Sequence, residues 1–276
     1  MANKAIFLDI DGTLTEPGSN VPPESALKAV EQTRKKGNVV FLSTGRNRGM
    51  LRPLLAYPFD GYIGSAGGYI ECQNKVIFDC PMSETQRTKV LSLLSECGIY
   101  RTVECLDHSF TDESFKDFLK EKCTKDGNSE LLRWRRQIEE SLNIQPMQEY
   151  ANQPVYKVVI MSPGLTAIQK AEQQLSKEFL FCLQEPDAYG IVNGEVLNRQ
   201  FDKGKGVLRV CEYLGIPIED SIGFGDSMND KEMMEVVGHS VCMGNGSPAL
   251  KEISDEVCEN VTEDGIYQAF SHLGLL

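Results

Sequence analysis

The chain lacks a surplus of positive charge. Its 276 residues hold 28 lysines and arginines against 40 aspartates and glutamates, a formal net charge of −12, with a pI near 4.9. Nucleic acid and anionic membrane surfaces both require a basic face, so neither is an expected partner. Long apolar runs are missing too. The early run Ala5–Leu8 is far shorter than a signal-peptide core, and no segment nears the roughly 20 apolar residues of a spanning helix. The nine cysteines are scattered and odd in number, with no CxxC pair. That spacing argues against a disulfide framework or a zinc site, and for reduced thiols in a cytoplasmic protein. There is no internal repeat and no low-complexity tract.

What is present is an alternation of strands and helices. "KAIFLD" reads as a short buried strand. "PPESALKAVEQTRKKG" reads as a helix with prolines at its start, Lys35 and Lys36 in its last turn and Gly37 as its stop. "NVVFLS" is the next strand, followed by a helical "NRGMLRPLLAY" and a strand "GYIGS". The rhythm returns late in the chain. "KGKGVLRVCEYLG" is predicted as a helix ended by Gly215, "DSIGFGD" as a strand, "MNDKEMMEVVG" as a helix ended by Gly238, and "HSVCMG" as a strand. Such alternation predicts an α/β fold, a parallel sheet covered on both faces.

The middle of the chain has another pattern. "SETQRTKVLSLLSECG" opens with Ser83 and Gln86 at capping-box spacing. "YRTVECL", "VYKVVIMS" and "EFLFCLQ" read as strands, with a helix over residues 168–175. "DESFKDFLKEKC" and "NSELLRWRRQIEESLN" read as amphipathic helices, Phe115, Phe118 and Leu119 facing inward on the first. This predicts an α+β module over residues 83–190, inserted into an α/β domain made of 1–82 and 191–276.

The stretch "FLDIDGTLT" carries the chemistry. Asp9 and Asp11 are two residues apart, a spacing that places strand side chains on one face. Ligands of parallel α/β sheets sit at the carboxyl ends of strands. Two carboxylates there repel unless a cation or a shared proton relieves them, and Mg²⁺ is the usual cation where phosphate is present. Three further segments fall at the same edge. "FLSTGR" offers the Thr44 hydroxyl and the amides after it to phosphate oxygens. "DKGKG" puts Lys203 at a helix start, where its ammonium can neutralise a phosphoryl group. "GFGDSMND" supplies Asp226 and Asp230, two more hard oxygen donors. Singly, each has a plain reading as a turn, a solvated lysine or a helix cap.

In series, DxDGT, STGR, KG and GDSMND resemble the motifs of the haloacid dehalogenase-like phosphatases. "EVLNRQFDKGKGV" and "VCMGNGSPALKEISDEVCENVTEDGI" are similar to segments of the Cof-type branch, whose large α+β cap lies between the second and third motifs. The resemblance implies a Rossmann-like catalytic core with an inserted cap (type C2B). It implies Asp9 as nucleophile, forming an aspartyl-phosphate, and Asp11 as general acid and then base, its pKa raised by a neighbouring anion. Mg²⁺ would be held by Asp9, the backbone carbonyl of Asp11, and Asp226, with Asn229 and Asp230 orienting those ligands. Thr44, Gly45 and Lys203 would hold the phosphoryl group. Arg46 would either reach the substrate or form a structural ion pair. The sequence departs from the branch at "GSAGGYI", where Ser65 stands in place of the usual asparagine.

These readings imply a phosphate monoester hydrolase acting on small metabolites, sugar phosphates first, monomeric by default. A phosphomutase and a non-catalytic phosphometabolite sensor are the alternatives. The intact set of Asp9, Asp11, Thr44, Lys203 and Asp226 weighs against a sensor. His108, His239 and His272 lie far from the motifs and from one another. Trp134 reads as a packing residue and "RWRR" as a solvated helix face. Asp187 and Tyr189 stand where the insert returns to the core and could overhang the site. Lys205 is expected to face solvent, and hinges are expected near 80–84 and 188–192.

Overall fold

The computed structural model describes residues 3–112, 144–184, 186 and 190–276. Strand β1 (Ala5–Leu8) is buried on both faces, as a continuous AIFL run must be. It lies inside an eight-stranded sheet of order β14-β13-β12-β1-β2-β3-β4-β5. On either side are β2 (Val39–Ser43) and β12 (Ser221–Gly225), both parallel to β1 along its full length. Strands β3 (Gly61–Gly64) and β13 (His239–Cys242) extend the parallel array, and β14 (Glu256–Val257) closes one edge. The order of the sheet therefore reverses at β1, which opens a crevice at the carboxyl ends of β1, β2 and β12.

Helices cover both faces. Helix α1 (Glu24–Lys35) buries Ala26, Ala29, Val30 and Thr33, the i, i+3, i+4, i+7 stripe of an amphipathic helix. With Ile266, Ala269 and Phe270 further on, this stripe packs against Ile6, Leu8, Val40 and Phe224. The opposite face, with Phe7, Phe41 and Ile63, meets Val207, Val210 and Met233. Each fully buried Val, Leu, Ile, Phe or Met among them contributes ~1.5–3 kcal/mol.

Three sequence expectations need correction here. The "NRGMLRPLLAY" segment is not one helix. It forms α2 (Arg48–Leu51), then a 3₁₀ turn over Leu54–Ala56, because Pro53 interrupts the backbone ladder. The sheet is not wholly parallel, since β4 (Tyr69–Cys72) and β5 (Lys75–Asp79) add an antiparallel hairpin. Its turn, Gln73 and Asn74, has φ of 50° and 63°, the left-handed pair of a type I′ turn. Gly238 does not itself end its helix, which spans Lys231–Val236 and is capped at Val237. Gly238 sits where a side chain would strike the Glu219 backbone.

The second sheet has the order β10-β11-β9-β6-β7-β8. Its strands are β6 (Tyr100–Cys105), β7 (Ser109–Thr111), β8 (Ile144–Pro146), β9 (Val155–Ser162), β10 (Phe179–Leu183) and β11 (Val192–Asn198). Helix α3 (Glu84–Glu96) starts with the expected Ser83–Gln86 capping box, and with α4 (Leu165–Leu175) it covers one face of this sheet. Strand β11 pairs with β9 and β10, so the second sheet continues to Asn198, beyond the expected boundary after residue 190. A strand's alternation reads the same whichever sheet it joins, and "VNGEVLN" gave no sign of its partners. The expected helices with Phe115, Phe118, Leu119 and Trp134, and the return residues Asp187 and Tyr189, lie outside the described residues.

Candidate active site

Each motif strand delivers its polar residue directly at its end. Asp9 follows β1, its amide bonded to Phe224 O at 3.0 Å; Thr44 follows β2; Asp226 follows β12. Lys203 is the first residue of helix α5 (Lys203–Leu214), whose cap is the Asp202 carboxylate accepting from the Lys205 amide. The chain thus gathers Asp9, Asp226, Asp230 and Lys203 in one buried cluster. The Lys203 ammonium donates to Asp9 Oδ1 at 2.7 Å and to Asp230 Oδ1 at 2.5 Å. The second oxygen of Asp230 accepts from the amides of Asp226 and Ser227, at 3.1 and 3.3 Å. Asp230 is therefore engaged on both sides, as a residue that orients its neighbours would be.

The electrostatics are unbalanced. Three carboxylates face one ammonium, with Asp9 4 % exposed, Asp226 7 % and Asp230 0 %. Burial, reinforced by Asp230, pushes the Asp9 carboxyl up to about 7, although Lys203 pulls the other way. Burial, with Asp9 and Asp230 close by, pushes Asp226 up to about 9. Lys203 shows the converse. Burial alone would lower its pKa, but Asp230 and Asp9 outweigh that and hold it above the ordinary lysine value.

This set suits a hard divalent cation. One carboxylate oxygen from each of Asp9, Asp226 and Asp230 lies within 4.8 Å of the others, and Asp226 Oδ1 is buried with no hydrogen-bond partner. Gly12 has φ of 90°, and a Cβ there would collide with the Asp226 carboxylate, so the DGT loop closes tightly over that oxygen pair. The Gly12 amide bonds to Thr15 O at 2.8 Å. In a planar trans peptide the Asp11 carbonyl must then point the opposite way from that bond.

Asp11 departs from its expected orientation. Strand geometry stops at Leu8 and the chain turns, with the Leu14 amide bonding back to Asp9 O and that of Thr15 to Ile10 O, so alternation no longer aligns the two aspartates. Arg46 instead grips Asp11 with two bonds, Nε to Oδ2 at 2.8 Å and Nη2 to Oδ1 at 2.6 Å, and Gly18 N donates to Oδ1 at 2.8 Å. Further bonds to Asn20 Oδ1 and Ser19 O leave Arg46 buried, an ion-paired arginine.

The other expected residues divide. Thr44 is buried, with Oγ1 accepting from the Arg46 amide at 3.2 Å. Asn229 is exposed and accepts from the Ser227 hydroxyl at 2.8 Å rather than touching the aspartates. Lys205 is partly exposed, paired with Asp202 at 2.9 Å. Ser65 and Ala66 take left-handed φ of 50° and 56° beside the Thr44–Arg46 loop, with Ser65 N bonded to Arg46 O and Ala66 N to Thr44 O. Asparagine tolerates that conformation better than serine, so the departure at Ser65 falls on a strained position. His239 begins β13 beside Glu256 of the edge strand β14, away from the cluster.

Sequence reasoning passed over three contributors. Asn245 clamps the DGT loop, donating to Gly12 O at 2.7 Å while its Oδ1 accepts from Val261 N at 2.8 Å. Lys157 and Glu195 belong to the second sheet, yet Lys157 reaches Gly45 O at 2.9 Å, and Glu195 lines a cavity of about 360 Å³ shared with Gly45, Lys203 and Asn229. The available signal was a charged residue in the middle of each apolar strand, "VYKVVIMS" and "VNGEVLN".

Comparison with known proteins identifies the family. The family model for haloacid dehalogenase-like hydrolases matches residues 6–270. The chain belongs to that family, as the motif resemblance implied, and is an enzyme of the hydrolase class. YkrA of Bacillus subtilis (strain 168), which carries a provisional phosphatase name, is 29% identical over 277 residues and covers all of both chains. The HMP-PP phosphatase of Serratia proteamaculans (strain 568) is 28% identical, covering 89% of this chain and 85% of its own. Among solved structures, the HAD subclass IIB sugar phosphatase BT4131 superposes with a TM-score of 0.76 at 22% identity, over 99% of this chain and 100% of that one. At that identity the likeness concerns the fold.

Proposed function

We propose that this hydrolase is a Mg²⁺-dependent phosphatase of small phosphorylated metabolites, sugar phosphates first, working through an aspartyl-phosphate on Asp9. The observation that carries the reading is the buried cluster itself: a carboxylate held by a lysine, beside an Asp226 oxygen with no partner. Mg²⁺ would be held by Asp9, Asp226 and the Asp11 carbonyl, supplying positive charge to the phosphoryl oxygens as they react.

The residues divide the remaining work. Lys203 fixes one Asp9 oxygen, which leaves the other to attack phosphorus. The same ammonium offsets charge on the phosphoryl group, and the Thr44 hydroxyl and Gly45 stand at the neighbouring strand end to orient it. Asp11 would protonate the leaving oxygen and then activate water. Its carboxylate is gripped by Arg46, so this role requires Asp11 to swing out of the fork as substrate enters. Phosphoryl transfer needs mostly positioning and charge neutralisation, which is what this cluster is built from.

The test is phosphate release from a panel of phosphorylated sugars, polyols and cofactor precursors, with Mg²⁺ or with EDTA, comparing wild type with Asp9→Asn. Metal-dependent release that Asp9→Asn abolishes is expected. Retention of binding without any release would favour the sensor reading instead.

A further inference from the structure

The cavity above the cluster has two unlike walls. One is the catalytic edge, with Gly45, Lys203 and Asn229; the other comes from the second sheet. At about 360 Å³ it falls among small-molecule sites, roughly 300–1,000 Å³. Leu180, Leu183, Leu197 and Phe201 give the second wall an apolar surface, and Glu195 is the carboxylate set into it.

Glu195 is held rather than loose. Its Oε1 accepts from the fully buried Lys157 ammonium at 2.5 Å, and its side chain keeps 12 % exposure. Lys157 also faces the buried Glu104 carboxylate at 3.4 Å and donates to Gly45 O at 2.9 Å. Glu195 thus presents a fixed carboxylate acceptor to whatever enters. A ligand hydroxyl can donate to the Glu195 carboxylate.

We propose that Glu195, clamped by Lys157, determines specificity by selecting a hydroxyl-rich leaving group, a sugar or polyol, and by rejecting leaving groups that carry a carboxylate. This rests on the phosphatase reading above. The hydroxyls donate to Glu195 while the C–H face of the alcohol lies on the leucines and Phe201. A carboxylate beside Glu195 would face an acceptor-only group of like charge, while two cations that also line the cavity are already engaged, Lys203 by Asp9 and Asp230 and Lys205 by Asp202. Through the Lys157 bond to Gly45 O, engagement of Glu195 also bears on the loop that carries Thr44.

Sorbitol 6-phosphate and 6-phosphogluconate test this, because they differ only in a CH₂OH or a carboxylate at the far end. Wild type should favour the first in kcat/KM by about tenfold or more, chiefly through KM. In Glu195→Gln the ratio should shrink to within about threefold. Both esters are read on one preparation, so any loss of folded protein cancels. A wild-type ratio near one, or a ratio that Glu195→Gln leaves unchanged, overturns the proposal. Acetyl phosphate turnover by wild type reports separately on the phosphatase reading. If no phosphate is released from any ester, calorimetric affinities of the two esters for wild type and Glu195→Gln give the same ratio without turnover.

Discussion

Each sheet buries a lysine among carboxylates, and the two lysines sit in different company. Lys203 in the larger sheet's crevice bridges Asp9 and Asp230, yet a third carboxylate, Asp226, keeps a buried oxygen without a partner. Lys157 in the smaller sheet meets Glu104 and Glu195 and places a further bond on a backbone carbonyl. The first cluster is left short of positive charge at the point where the strands end. The second lies inside a strand array. An uncompensated buried carboxylate costs free energy. Its survival in the first points to a ligand that completes it.

Substitutions should separate the two lysines. Lys203→Met should lower kcat by about 10²-fold or more, because it removes the cation that holds Asp9, the proposed nucleophile, and would face the phosphoryl group; steady-state phosphate release checks this. Lys157→Met should show mainly in stability. Two buried carboxylates would lose their ammonium, at a cost of about 3–5 kcal/mol by urea unfolding. An equal loss of turnover in both variants would erase the distinction between the clusters.

Proton linkage gives a subtler contrast. Asp9 and Asp226 have folded-state pKa values above their unfolded ones, about 7 and about 9. Between the unfolded carboxylate range and those values, the folded protein binds more protons than the unfolded chain. Their contribution is therefore complete at low pH and is lost as pH rises through about 7 and then about 9. Thermal unfolding in EDTA should show Tm falling over that window from this cause, and saturating Mg²⁺ should flatten the fall. The smallest effect belongs to the second sheet's covering helix. Ser83→Ala removes the capping-box hydroxyl of α3 and should cost about 1 kcal/mol, with turnover unchanged.

Much of the larger sheet was legible because its strands end directly in the polar residues of the motifs. AIFL, VVFLS and SIGFG run straight into Asp9, Thr44 and Asp226, and parallel pairing brings those ends to one edge whatever the loops do. The Ser83 cap and the Gly215 stop were equally local signals. What escaped depended on distant partners. Arg46 meets Asp11 across 35 positions and Lys157 meets Glu195 across 38, and nothing in either neighbourhood names the other. The placement of β11 escaped for the same reason, since pairing with β9 and β10 is decided between strands.

The most direct test of Asp9 as nucleophile is a rapid-quench reaction with a ³²P-labelled sugar phosphate and Mg²⁺, followed by peptide mapping. Label on the peptide that contains Asp9, absent from Asp9→Asn, is the expected result. Undiminished turnover by Asp9→Asn, or label on another residue, would contradict an aspartyl-phosphate at Asp9.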